Sequence, residues 1–196
     1  MDEPSEDAYV AGNPRWSGHD RMVVVSGCSG GGKSALVAAL AARGHGAFPE
    51  PGRQVVREEL FVGGPALPWR DAGRFAERCI AGAAWFFNAA DPAAGPVFFD
   101  RGIVDAVTAL ERIGEVPDWC AEAARRYRYG RRVFMVPPWP ALFAVDAERR
   151  HDLDAAEAEY QALLASYAAK GYECVVIPRA SLAERVAFVE AELDGV

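Results

Sequence analysis

Five short apolar runs punctuate the chain, and between them the spacing of apolar residues changes. MVVVS (22–26), HGAFPE (45–50), GPVFFD (95–100), RVFMVP (132–137) and YECVVIP (172–178) read as strands. Four of them are continuously apolar rather than alternating, the pattern of strands covered on both faces. HGAFPE is placed mainly by its position. In the longer stretches between, apolar residues recur at helical spacing: Phe75, Cys79 and Phe86; Ile103, Val107 and Leu110; Leu153, Tyr160, Leu163 and Tyr167; Leu182, Val186, Val189 and Leu193. All four stripes are read as core. The segments 63–70 and 137–140 are loops, because proline and glycine at that density continue neither helix nor strand. Strand alternating with helix predicts an α/β fold, a three-layer α/β/α sandwich around a five-stranded parallel sheet. Right-handed crossovers then gather the carboxyl ends of the strands into one functional edge.

Composition narrows this picture. At 196 residues the chain is about one domain's worth and needs no disulfide or metal support. Residues 1–20 mix acids, Pro, Gly and Asn without periodicity and read as a flexible acidic leader, with 21–196 as the domain. A net charge of −7 with scattered arginines argues against nucleic acid as a partner. No stretch approaches the roughly 18 apolar residues of a membrane span, and the acidic start does not match a signal peptide. The cysteines, Cys28, Cys79, Cys120 and Cys174, show no metal-ligand or disulfide spacing, which suits a reduced, cytoplasmic setting. Only two lysines occur, Lys33 and Lys170, so Lys33 stands out against an arginine background.

Lys33 belongs to GCSGGGKS. Gly27, Gly32, Lys33 and Ser34 satisfy G-x-x-x-x-G-K-[ST], directly after an apolar strand and directly before the helix-prone SALVAALAAR. In such a loop Gly27, Cys28, Ser29, Gly30, Gly31 and Gly32 turn backbone N–H groups toward phosphate oxygens, and the following helix adds its positive end. Lys33 reaches the β- and γ-phosphates and Ser34 can ligate Mg²⁺. Cys28 is read as a small residue that fits the loop rather than as a redox switch.

PVFFD ends in Asp100, followed by Arg101 and Gly102. A strand delivering one carboxylate to the active edge suits a Walker B acid for Mg²⁺, with Arg101 projecting toward phosphate or substrate. The competing reading of Asp100 is a helix N-cap. GCSGGGKS, FPEPGR, FFDRG and the arginine pair of DAERRHD together resemble the layout of P-loop small-molecule kinases, among them deoxynucleoside, nicotinamide riboside and thymidylate kinases. The chain looks like a group of bacterial predicted AAA-type ATPases with a nicotinamide riboside kinase-like fold. The resemblance spans about residues 22–194 and implies a P-loop NTPase of nucleoside-kinase type.

Glu50, between Pro49 and Pro51, resembles the general base of those kinases. The demand is also physical, because a hydroxyl nucleophile needs an acceptor for its proton near the γ-phosphate. Arg53 and Arg57 are candidates for binding the acceptor molecule, and Trp69 for stacking on it. Arg149 and Arg150 resemble lid arginines that stabilise transferring phosphate, although adjacent acids allow an ordinary surface cluster. The resemblance also places the adenine near IPRAS, with Arg179 beside it. The expected activity is an ATP- and Mg²⁺-dependent transfer of the γ-phosphoryl group to a hydroxyl of a small, nucleoside-like or antibiotic-like acceptor. An NTPase switch and a non-catalytic nucleotide-binding module are the alternatives. Neither a membrane nor nucleic acid is an expected partner, and the oligomeric state stays open, a homodimer included.

Overall fold

The computed structural model describes residues 10–139 and 148–194, with the side chains of 148–152 and of 194 outside that description. Along the chain run β1 (Met22–Gly27), α1 (Lys33–Ala42), β2 (Gly46–Phe48), α2 (Pro51–Val62), α3 (Ala72–Ala89), β3 (Val97–Asp100), α4 (Ile103–Ile113) and α5 (Asp118–Arg126). They are followed by β4 (Arg132–Val136), α6 (Glu148–Ala169), β5 (Glu173–Val176) and α7 (Leu182–Asp194). The five strands form one parallel sheet in the order β2-β3-β1-β4-β5. This is the expected α/β sandwich.

β1 lies at the centre, and each of its residues is buried, so its unbroken apolar run is the signature of two covered faces. Val23 and Val25 join Phe98 and Phe134 under α1 and α7. Met22 and Val24 join Phe99 and Met135 on the opposite face, under α3, α4 and α6. HGAFPE gave a weak apolar signal for a physical reason. It forms the short edge strand β2, which stays partly open to solvent.

Register places the chemistry. β1 pairs with β3 so that Val25 stands opposite Asp100. The loop leaving β1 and the acid ending β3 therefore emerge side by side at the carboxyl edge. At the opposite edge a wider cleft of about 600 Å³, lined in part by His19, Arg21, Arg131 and Glu173, holds none of the candidate chemistry.

Three expectations need correction. Residues 10–20 are not a loose leader: the Asn13 side-chain amide donates to two carbonyls at the end of α3, that of Phe87 (3.0 Å), which the Ala90 N–H also reaches, and that of Ala90 (2.9 Å). The Gly12 N–H donates to Asn88 Oδ1 (2.8 Å), and Trp16 packs on the larger core. Residues 1–9 of the expected leader lie outside the described residues. Leu182, placed in a core stripe, is exposed because it starts α7 at the open edge. Phe75 and Cys79 line a cavity, and Phe75 is only partly buried. No helix among the described residues is long and apolar enough to cross a membrane.

Asn13 has φ 40°, a conformation glycine adopts freely, so Asn13→Gly removes the side-chain bonds without adding backbone strain. We expect a loss of about 1–2 kcal/mol in denaturant unfolding, with the loop-and-sheet site intact.

Candidate active site

The phosphate loop has the backbone its sequence demands. Gly30 and Gly32 have φ of 79° and 82°, and Gly27, at φ 129°, passes so close to β4 that a Cβ there would collide with the Val136 carbonyl. α1 begins at Lys33 with neither a side-chain cap nor an acid in its first turn, which leaves its positive end for an anion. Lys33 is buried, and its Nζ donates to the Cys28 carbonyl at 2.5 Å. Desolvation pushes its ammonium down to about 8; the nearby Arg101 charge adds to that, while Asp100 and Glu50 oppose it.

Ser34 Oγ donates to Asp100 Oδ2 at 2.5 Å. Asp100 is only 2% exposed, and burial raises its carboxyl above the usual range despite Ser34 and Lys33. It does not cap α4; that position belongs to Gly102. Its other oxygen, Oδ1, is buried without a hydrogen-bond partner. A lone buried carboxylate oxygen beside a serine hydroxyl, at the foot of a phosphate loop, suits Mg²⁺, which takes one or two protein oxygens and completes its shell from phosphate and water. No cluster of three or more His, Cys, Asp or Glu among the described residues is placed to hold a metal by itself.

Arg101 organises the other half of the site. It has φ 73°, unusual for a residue with a side chain, and its N–H donates to the Val25 carbonyl at 3.0 Å, tying the turn to β1. Its guanidinium meets Glu50 Oε1 (3.4 Å), Asp105 Oδ1 (3.2 Å) and Glu159 Oε1 (3.0 Å). Burial works to lower its pKa, but Asp105, Glu159 and Glu50 together hold it above the ordinary arginine value. Asp105 also accepts from Ser26 Oγ (2.6 Å), the Tyr167 hydroxyl (2.6 Å) and the Gly102 N–H (2.9 Å). Glu159 Oε2 accepts from the Ser29 N–H of the phosphate loop at 3.4 Å.

Beside this cluster lies a cavity of about 200 Å³. Glu50, Arg101, Asp105 and Glu159 form its polar end, while Phe75, Cys79, Ala106 and Ala109 contribute an apolar wall. Burial, reinforced by Glu50, pushes the Cys79 thiol up to about 12, so it remains a neutral lining group. On the other side of Glu50 a wider cleft of about 610 Å³ contains Ser34, Asp100, Arg53 and Arg57. Glu50 borders both spaces.

Arg53 and Arg57 are exposed, and Arg53 Nε donates to Glu50 Oε2 at 3.0 Å. Trp69 does not join the cavity; it is 68% exposed. The buried carboxylate of Glu59 explains this, because it accepts the Ala66 N–H at 2.8 Å and pairs with Arg78, drawing in the loop before Trp69. Arg179 is exposed after β5, whereas Arg185, not singled out from sequence, is buried and donates to the Gly31 carbonyl at 3.3 Å. Its only sequence signal is a charge interrupting the apolar stripe of α7. Asp105 and Glu159 were also missed; Asp105 is signalled only as an acid one helical turn after Arg101. Arg149 and Arg150 fall in the first turn of α6, and their side chains lie outside the described residues. Cys28 is buried, and desolvation raises its thiol, as befits a packing residue.

A family model described as an AAA domain matches residues 22–185. No curated protein matches the sequence. Among solved structures, the YorR protein of Bacillus subtilis in complex with phosphorylated GDP is similar in fold (10% identity, 88% of this chain and 95% of that chain covered, TM-score 0.56). So is deoxyadenosine kinase from M. mycoides with bound dATP (12% identity, 88% and 98% covered, TM-score 0.51). The fold is that of P-loop kinase-like proteins.

Lys33 gives a pH prediction. Its folded pKa, about 8, lies below the ordinary value, so burying the charged form costs stability below pH 8, and that cost fades as pH rises toward 10.5. A bound polyphosphate favours the charged form and reverses the shift. Nucleotide binding near pH 8 should therefore take up a proton, and affinity should fall above that pH. Calorimetry in buffers of different ionisation enthalpy measures both.

Proposed function

The chain belongs to the AAA domain family, and from that premise we propose that it is a phosphotransferase, moving the γ-phosphoryl group of ATP to a hydroxyl of a small molecule. The observation that carries this reading is the position of Glu50. It stands between the cleft that contains Ser34 and Asp100 and the small cavity beside Arg101. A carboxylate there can accept the proton of an acceptor hydroxyl lying next to a γ-phosphate.

In this mechanism the loop N–H groups and protonated Lys33 hold the β- and γ-phosphates. Ser34 and Asp100 would hold Mg²⁺, which supplies neutralisation of phosphate charge. The acceptor oxygen attacks the γ-phosphorus, its proton passes to Glu50, and the bond to the β-phosphate oxygen breaks to leave ADP. Arg101 fixes Glu50, while Arg149 and Arg150, at the start of α6, are the proposed lid that follows the transferring charge. The base of the nucleotide would lie by the loop after β5, near Arg179. The nucleotide ligands of the two similar structures support a nucleotide here, and the kinase among them is in keeping with transfer. A hydrolytic switch, the competing reading, leaves the cavity beside Glu50 without a purpose.

Two variants separate the roles. Lys33→Ala should lose nucleotide affinity and activity together. Glu50→Gln should keep nucleotide affinity within a few-fold and lose transfer by about 10²–10⁴-fold. Release of free phosphate only, at a rate that no alcohol in a metabolite library alters by phosphorus NMR, would sink the transfer reading.

A further inference from the structure

The charge lining the small cavity narrows the acceptor, an argument that rests on the transfer reading for the cavity's purpose. Its polar end presents three carboxylates, Glu50, Asp105 and Glu159, to the guanidinium of Arg101, and Glu50 also pairs with the exposed Arg53 outside the cavity lining, which leaves the cluster with one negative charge in excess. Arg101 is the only basic side chain among the described residues lining it. The Nε and both terminal nitrogens of that guanidinium are already engaged with carboxylates. A phosphate monoester entering here would bring more negative charge and find no free cation to receive it. A cation entering here meets an excess of negative charge in a low-dielectric setting where Coulomb attraction is strong. The remaining wall, Phe75, Ala76, Cys79, Ala106 and Ala109, is apolar and suits the body of a small ring or chain. At about 200 Å³ the space is below the usual range of drug-sized sites.

We infer that the acceptor is a small alcohol carrying an ammonium-type positive charge on a compact apolar body, and that phosphorylated acceptors are rejected. The hydroxyl lies toward Glu50, and the cation lies among the carboxylates around Arg101. Glu159 is a positioning and selectivity residue in this arrangement, since it both lines the cavity and reaches the phosphate loop.

The test is binding of a matched trio to the wild-type protein with ADP present, read by calorimetry at low and high salt: aminocyclohexanol, cyclohexanol and cyclohexyl phosphate. The ammonium alcohol should bind at least tenfold more tightly than cyclohexanol, with the preference shrinking as salt rises, and cyclohexyl phosphate should show no binding. Glu159→Gln should reduce the ammonium preference several-fold, with thermal unfolding confirming that the variant is folded. Tight binding of cyclohexyl phosphate, equal binding of the ammonium and neutral alcohols, or binding of none of the three overturns the inference. None of these readouts requires turnover. A retained ammonium preference without phosphoryl transfer to any alcohol would leave the charge assignment standing and remove the transfer reading alone.

Discussion

The guanidinium of Arg101 joins pieces of chain that are otherwise far apart. Through Glu50, Asp105 and Glu159 it links the end of β3 to α2, α4 and α6. Asp105 continues the network to Ser26, the residue of β1 just before the phosphate loop, and to Tyr167 on α6. The network is only partly buried, so removing one member costs less than the roughly 3–5 kcal/mol typical of a fully buried pair, and the loss is greatest at Asp105, its buried carboxylate. The positions of Glu50, the phosphate loop and the wall of the small cavity are therefore tied to one shared group. The left-handed backbone at Arg101 is part of this arrangement, since its N–H is held by Val25 while its side chain turns back into the cluster.

A second buried set, Lys33 with Ser34 and Asp100, has the opposite electrostatic character. Desolvation drives the lysine toward its neutral form and the aspartate toward its protonated one. Burial thus disfavours the charged form of both Lys33 and Asp100, whereas the carboxylates around Arg101 favour its charged form. The two sets sit a residue apart at the end of β3, one at Asp100 and the other at Arg101.

What the sequence revealed follows from how local each requirement is. The glycines of the loop answer to backbone angles and close approaches, so Gly27 and Gly32 were readable from spacing alone. β1 and β3 were readable because both faces are covered, and Asp100 because the strand ends on it. The partners of Arg101 were not, because Glu159 lies 58 positions away and only the packing of α6 brings it there. Trp69 misled because aromatic residues in loops near an active edge suit ligands, but burial of Glu59 governs that loop and leaves the indole outside. The segment at Asn13 looked unstructured because its anchoring is polar and depends on carbonyls at the end of α3, more than 70 residues further on.

Glu159 contributes one oxygen to Arg101 and the other to the Ser29 N–H, an N–H for which a phosphate in the loop would compete. A group shared in this way makes the two halves of the site thermodynamically linked. Whatever free energy a nucleotide gains by taking the N–H is altered by what Glu159 then does at Arg101, and an occupant of the small cavity must feel the same coupling in reverse. The long helix α6 carries this carboxylate, so loading of the donor loop would register along its whole length as a change in load at a single oxygen.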